Sequence, residues 1–164
     1  MKTLYIMRHA KSSWGEPGME DFDRPLLEKG KKRTRTIIDF LLKKDARVDL
    51  IIASPAVRAL ETAKIMIHGL RVEEEQLRIE KSLYAAEKER YYDIFYDLPA
   101  SVDNLMIIGH NPAISNFIND FLDEKTDPVP TSGIACFEFN TDDWTQISTA
   151  DNRVVFLMYP KMLD

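Results

Sequence analysis

Cysteine is almost absent from this sequence. Cys136 is the one cysteine in 164 residues, so no disulfide can form within the chain. It stands in an apolar run, between Ala135 and Phe137, as a small buried side chain does. A chain of this length can bury an adequate core without disulfides or a structural metal. We therefore expect a reducing, cytoplasmic setting.

Long apolar runs are also missing. A membrane-spanning helix needs about 18 consecutive apolar residues, and no stretch of the sequence provides them. The first ten residues, MKTLYIMRHA, become charged too early for the apolar segment of a signal peptide. The sequence therefore predicts no contact with a membrane.

An excess of positive charge is lacking too. The net charge is -5, whereas nucleic-acid-binding proteins usually show a basic balance or a basic stripe, so we expect no nucleic-acid partner. The one basic cluster, EKGKKRTRT at residues 28–36, falls at a predicted helix start. A solvated helix face explains it, and a rim that attracts an acidic partner is the alternative.

What the sequence does contain is a regular alternation of short apolar runs and longer amphipathic stretches. The predicted strands are Thr3–Met7, Asp49–Ala53, Leu77–Leu83, Asn104–Ile108, Gly133–Phe139 and Arg153–Tyr159. The predicted helices are Leu26–Lys44, Pro55–Gly69, Glu87–Leu98 and Pro112–Leu122. This pattern predicts one α/β domain over residues 1–164, with a mostly parallel sheet covered on both faces. The last two strands are expected to form a C-terminal hairpin at one edge.

Charged side chains follow three of these strands. Arg8 and His9 end the first strand, Arg58 stands in the first turn of the helix after the second, and His110 follows NLMII in the motif GHNP. Ligands of open α/β sheets bind beyond the carboxyl ends of the strands. Two arginines and two histidines are therefore expected to converge on one crevice, beside helix N-termini that favour anions.

Each of these residues also has an ordinary structural explanation. A histidine at a strand end is often only hydrogen-bonded in place, and a salt bridge to Glu61 would account for Arg58. The coincidence at three strand ends favours a ligand site instead. Two arginines would repel a divalent cation and too few ligand-type residues cluster with them, so we expect no metal. No GxxxxGK[ST] loop is present, which argues against a P-loop nucleotide site.

Two guanidiniums beside an imidazole suit a phosphoryl group, because arginine offers paired donors to phosphate oxygens. A neutral imidazole can attack phosphorus and carry the phosphoryl group. Positive neighbours disfavour the protonated ring, so Arg8 and Arg58 should keep His9 neutral. His9 is thus the candidate nucleophile.

The ordered motifs RHA, SPAVRALETA and GHNP resemble those of the histidine phosphatase superfamily, the phosphoglycerate mutase-like proteins. The longer runs MRHAKSSW and DFDRPLLEKGK are similar to the SixA-like branch of phosphohistidine phosphatases. The resemblance implies a three-layer α/β/α sandwich, His9 as the phosphorylated nucleophile and Arg8, Arg58 and His110 as the phosphate pocket. It implies no metal and no organic cofactor. Ala10 stands where RHG is the commoner superfamily motif, which fits the branch.

Two further residues are weaker candidates. Ser12 is expected to contact the phosphoryl group. Glu87 occupies the segment in which many superfamily members place a proton donor, but it would equally suit an exposed helix start, where the helix dipole favours acids. Expulsion of an alkoxide needs a general acid, whereas an imidazole, with a pKa of about 6.5, leaves with less help.

The sequence therefore predicts a phosphatase that works through a phosphohistidine enzyme intermediate and acts on protein phosphohistidine. A small-molecule phosphomonoesterase is the alternative within the enzymes. A non-catalytic module that binds phospho-groups is the alternative from another class, although binding alone would not require His9. The partner is accordingly a phosphorylated protein or a small phosphorylated molecule.

Overall fold

The computed structural model describes all residues, from Met1 to Asp164. Its strands are β1 (Lys2–Arg8), β2 (Leu50–Ala53), β3 (Leu77–Ile79), β4 (Asn104–Gly109), β5 (Ile134–Phe139) and β6 (Asn152–Met158). Its helices are α1 (Glu28–Lys43), α2 (Val57–Leu70), α3 (Glu89–Asp93) and α4 (Ala113–Asn119). None of these helices has the combined length and apolar character that crossing a membrane requires.

The strands form one six-stranded sheet in the order β3-β2-β4-β1-β5-β6. The strands β1, β2, β3 and β4 pair in parallel, whereas β5 runs antiparallel to β1 and β6 antiparallel to β5. This confirms the predicted α/β fold with a C-terminal hairpin at one edge of a mostly parallel sheet. In the register of β1 and β4, Arg8 lies opposite Gly109, so these two strands end at the same level.

Side chains of the central strand alternate between two cores. Leu4 and Ile6 point into the core that α4 covers, and Tyr5 and Met7 point into the core beneath α1 and α2. All four side chains are buried. A strand buried on both faces explains the continuous apolar run that the sequence shows there, and it produces the three layers of the fold.

Two elements differ from the sequence prediction. The helix expected over Glu87–Leu98 is only Glu89–Asp93, after which a 3-10 turn covers Ile94–Tyr96. The strand expected over Leu77–Leu83 stops at Ile79, and a 3-10 turn then buries Leu83 in the core. Apolar residues define burial in both segments, but they do not distinguish a regular element from a tight turn.

An aromatic cluster supports the layer that holds α3 and α4. Phe117 lies at its centre, with ring centroids 5.5 Å from Tyr91, 5.0 Å from Tyr92, 6.1 Å from Phe95 and 5.3 Å from Phe121. Edge-to-face and tilted pairs of this kind stabilise a core beyond the burial of area alone. The cluster fixes α4 and Tyr91 relative to the end of β4.

Truncation at the centre of this cluster should be costly. We expect Phe117→Ala to lower the free energy of unfolding by about 3–5 kcal/mol, because the fully buried ring leaves a cavity. Tyr96→Ala is the control, since the Tyr96 side chain is 72% exposed, and it should change stability by less than about 0.5 kcal/mol. Urea denaturation measures both. Equal losses in the two variants would contradict the central role of Phe117.

Candidate active site

An open cleft of about 450 Å³ lies where β1, β2 and β4 end. It is lined by Arg8, His9, Lys11, Ser12, Trp14, Arg24, Arg33, Arg58, His110, Asn111 and Thr131. The structure thus brings together Arg8, His9, Ser12, Arg58 and His110, as the sequence predicts, and the two imidazole rings are 5.2 Å apart. Five of the lining side chains are cationic and none is a carboxylate. Nowhere do three or more metal-ligating His, Cys, Asp or Glu side chains cluster.

His9 is held on both sides by backbone hydrogen bonds. Its N–H donates to the Gly109 carbonyl at 3.0 Å, and its carbonyl accepts from the Ser132 N–H at 3.1 Å. The ring Nδ1 lies 2.7 Å from the Ala10 carbonyl oxygen. Because a carbonyl only accepts, Nδ1 carries the proton, and Nε2 keeps its lone pair. The buried ring is therefore fixed in the tautomer that a nucleophile needs.

The loop after β1 is tied to both neighbouring helices. The Thr62 hydroxyl accepts from the Ala10 N–H at 2.9 Å and donates to the Arg58 carbonyl at 2.7 Å, which links the loop to α2. On the other side, a Cβ at Gly30 would lie only 2.3 Å from the Lys11 carbonyl oxygen. Glycine is thus required at position 30 for α1 to approach this loop.

His110 is positioned by two hydroxyl groups. The backbone N–H of His110 donates to the Tyr91 hydroxyl at 3.2 Å. A Cβ at Gly109 would lie 2.0 Å from that oxygen, so only glycine admits the contact. The ring Nε2 is 2.7 Å from the Ser54 hydroxyl, which also accepts from the Ala56 N–H at 3.3 Å. That second contact favours Ser54 as the donor to Nε2. The proton of the neutral ring then resides on Nδ1, which becomes a donor.

Both arginines keep a donor free. Arg8 donates through Nη1 to the Val129 carbonyl at 3.0 Å, and Arg58 donates to the Asp21 carbonyl at 2.8 Å and to its carboxylate at 3.1 Å. The buried side-chain polar atoms without a partner are three: Arg8 Nε, Arg58 Nε and His110 Nδ1. An unsatisfied buried donor costs about 1–3 kcal/mol and requires an explanation. All three belong to residues that line this cleft, so the unmet hydrogen-bonding capacity of the protein is concentrated there.

Asp21 does not line the cleft, but it pairs with two of the cleft's arginines, and the sequence analysis missed it. Its carboxylate accepts from the Tyr84 hydroxyl at 2.8 Å and from Arg24 at 2.9 Å, besides Arg58. The hydrogen bonds from Tyr84, Arg24 and Arg58 hold the pKa of Asp21 well below its usual range, although partial burial opposes them. Asp21 is therefore ionised and partly neutralises Arg58.

Glu61, whose salt bridge was the alternative explanation for Arg58, has a different partner. Glu61 accepts from the Leu26 N–H at 3.2 Å. The signal that could have indicated Asp21 is the run DFDRPLLEKGK, in which Asp21 stands three residues before Arg24. The contact between Asp21 and Arg24 lies at a single 3-10 turn, Asp21–Asp23, which is too short to show a pattern of apolar residues in the sequence.

The two weaker candidates occupy different places. The Ser12 hydroxyl lies in the cleft wall, where it accepts from Arg24 at 2.9 Å. Glu87 is exposed and lines a neighbouring groove beside Pro112 and Asn116. It is not among the residues of the cleft.

Burial keeps both imidazoles of the cleft uncharged. It is the main reason that the pKa of His9 falls to about 3; the hydrogen bond to Ala10 opposes it, and the positive charges of Arg58 and Arg8 lower the pKa further. The pKa of His110 falls to about 4, again through burial first, then through Arg58 and Arg8, with Asp21 opposing. At neutral pH the cleft thus combines five cationic side chains with two neutral rings.

Comparisons with known proteins agree with this geometry. A family model described as "Histidine phosphatase superfamily (branch 1)" matches residues 4–106. An uncharacterised protein of Mycobacterium tuberculosis is 29% identical over 140 residues, which cover 79% of this chain and 84% of the relative. A SixA structure from Agrobacterium tumefaciens is 26% identical, covers 97% of this chain and 99% of its own, and gives a TM-score of 0.81. The structure of "the protein histidine phosphatase SixA complexed with tungstate" is 19% identical, covers 99% of each chain, and gives a TM-score of 0.82.

The two depressed histidine pKa values predict how stability depends on pH. Unfolding returns both rings to an ordinary value of 6.5, so below that pH the unfolded chain binds protons that the folded chain does not. The free energy of unfolding should therefore fall as the pH drops from about 6.5 toward about 4, by at most about 1.4 kcal/mol per pH unit for each histidine. Denaturation curves across this range should show a shallower slope for His9→Gln and His110→Gln. An unchanged slope in both variants would contradict the assignment.

Proposed function

The chain belongs to the histidine phosphatase superfamily, branch 1, and we propose that it hydrolyses protein phosphohistidine through a phosphohistidine formed on its own His9. Membership of this superfamily supports a phosphatase. The choice of substrate and the roles of the individual residues are our inference from the cleft.

The observation that carries this proposal is the set of three buried donors without partners, Arg8 Nε, Arg58 Nε and His110 Nδ1. They belong to residues that line the same cleft as His9, whose Nε2 keeps a lone pair. A phosphoryl group in transfer spreads its negative charge over three equatorial oxygens, and catalysis consists mostly of positioning and stabilising that charge. Three donors around one nucleophile match this requirement.

The first step transfers the phosphoryl group to the enzyme. The lone pair of His9 Nε2 attacks phosphorus and forms a new N–P bond, while the P–N bond to the substrate imidazole breaks. The substrate ring, already protonated on its other nitrogen, takes the electron pair of the broken bond and leaves as neutral imidazole, so no proton has to be donated in this step. Arg8, Arg58 and His110 donate hydrogen bonds to the phosphoryl oxygens throughout.

The second step releases inorganic phosphate. A water molecule attacks the phosphorus on His9, its oxygen forms the new P–O bond and its proton passes to solvent. The N–P bond breaks, and its electron pair returns to Nε2. His9 then regains the neutral state in which burial holds it.

No carboxyl group is placed to act as a general acid in the cleft, which favours a substrate whose leaving group needs little help. Asp21 is held ionised, so it has no proton to donate, and Glu87 lines a different groove. An alkoxide leaving group would lack a general acid here, whereas an imidazole has a pKa of about 6.5. The likeness to SixA structures, one of them named as a protein histidine phosphatase, supports the same choice.

His9 should be essential for turnover. We expect His9→Ala to abolish hydrolysis and to leave the fold intact, because no other side chain supplies the nucleophile. Rapid quenching with a ³²P-labelled phosphohistidine protein should trap the label on His9 of the wild type. The matched control is His68→Ala, which removes the exposed third histidine outside the cleft and should retain activity. A phosphoenzyme carried by any other residue would refute the mechanism.

The rate should depend steeply on the leaving group. Phosphohistidine proteins, phosphoramidate and aryl phosphates should be hydrolysed, and alkyl and sugar phosphates should be poor substrates. General acid catalysis is typically worth about 10²–10⁴-fold, so Glu87→Gln should slow the good substrates by less than about 10-fold, as should Glu89→Gln, its exposed neighbour. Comparison of kcat/KM across the series tests this. Efficient hydrolysis of a sugar phosphate that is lost only in Glu87→Gln would instead establish a phosphomonoesterase.

A further inference from the structure

One wall of the cleft presents an unusually exposed tryptophan. The Trp14 side chain is 91% exposed, and the guanidinium of Arg24 lies 4.9 Å from the centre of its ring. Lys11 and Arg33 line the same cleft. We call these four residues, Lys11, Trp14, Arg24 and Arg33, the Trp14 rim.

Two cations of the Trp14 rim have no partner in the protein. Arg24 is engaged by Asp21, Ser12 and the Ser13 carbonyl, whereas Lys11 and Arg33 make neither a salt bridge nor a side-chain hydrogen bond. The chain as a whole is acidic, with a net charge of -5. Local positive charge left free on an acidic protein favours an anionic partner and steers its approach.

These cations are not needed to hold the phosphoryl group itself. The donors that the proposed function assigns to the phosphoryl group belong to Arg8, Arg58 and His110, which are not part of the rim. The Trp14 rim stands outside them, so it faces whatever molecule carries the phosphoryl group. The positive charge of the rim therefore favours substrates in which negatively charged residues flank the phosphorylated side chain.

Apolar side chains continue the surface beside Trp14. Met19 packs against Gly15 and remains exposed, and Phe22 is exposed with its ring centre 5.1 Å from that of Tyr84. Tryptophan, methionine, phenylalanine and arginine are enriched in protein interfaces, and tryptophan and arginine are the commonest hot spots. The composition of this surface is that of a protein-binding patch.

We propose that the Trp14 rim is a docking surface for an acidic protein, which presents its phosphohistidine to His9 with carboxylates facing Lys11 and Arg33. This inference rests on the proposed function, and it adds the chemistry by which the substrate protein is recognised. Trp14 supplies the apolar anchor of the contact. A small ligand stacked on the indole would cover one face only, whereas a protein surface can bury the 150–250 Å² that such a side chain typically contributes.

The test uses synthetic phosphohistidine peptides of equal length, flanked by glutamate, serine or lysine. For the wild type we expect kcat/KM to be highest with the glutamate flanks and at least about 10-fold lower with the lysine flanks. Trp14→Ala and Arg33→Glu should each lower kcat/KM for the glutamate-flanked peptide about 10-fold, mainly through KM. Arg33→Glu should also gain activity on the lysine-flanked peptide, because the charges are then exchanged. Arg35→Glu is the matched control on the same helix, exposed and outside the cleft, and should change neither value.

Trp14 also reports docking independently of turnover. The other tryptophan, Trp144, is only 3% exposed, so a blue shift of the emission on adding peptide arises from Trp14. A flank-dependent blue shift without hydrolysis would support docking and overturn the proposed function. Hydrolysis without any flank preference or blue shift would overturn docking and keep the function. The absence of both hydrolysis and the blue shift would overturn docking and the proposed function together. Hydrolysis of a nucleoside monophosphate that is lost in Trp14→Ala would also overturn both, since that result assigns the surface to a small ligand.

Discussion

Burial of positive donors without partners is the constraint on which the rest of this structure depends. Arg8 and Arg58 come from two different parts of the chain, and their like charges repel at close range. Burial and these charges depress the pKa values of His9 and His110. The fold therefore holds an arrangement that is unfavourable by itself, and an anion relieves it. Because the donors are fixed before the anion arrives, little reorganisation remains for the moment of reaction.

Backbone geometry provides the rigidity for this arrangement. The register of β1 and β4 sets Arg8 level with Gly109, and the hydrogen bond from His9 to the Gly109 carbonyl continues that pairing beyond the strand. Thr62 then joins the loop after β1 to the helix that bears Arg58. The reactive groups thus stand on regular elements and on the first residues after them, where positions are defined more closely than in free loops.

The centre of the site could be predicted from the sequence, and its periphery could not. His9 and His110 follow buried apolar strands, so strand periodicity and the rule for α/β sheets place them together without a structure. Asp21 and Trp14 lie in an irregular segment that has no periodicity. Their positions follow from tertiary contacts with Arg58 and Arg24, which are invisible in a single sequence. For Glu87 the sequence left two alternatives, a proton donor or an exposed residue at a helix start, and the structure places it exposed in a neighbouring groove.

The contact between Asp21 and Arg58 affects how strongly the cleft can hold an anion, because Arg58 interacts both with the anion and with the Asp21 carboxylate. Both terminal nitrogens of Arg58 are engaged by Asp21, which leaves Nε without a partner, and the ionised carboxylate beside this guanidinium repels an incoming oxyanion. In the proposed reaction, that repulsion would weaken the hold of the cleft on inorganic phosphate and favour release of the product over its retention. Residue 21 sets the balance between capture and release from outside the group of residues that surround phosphorus.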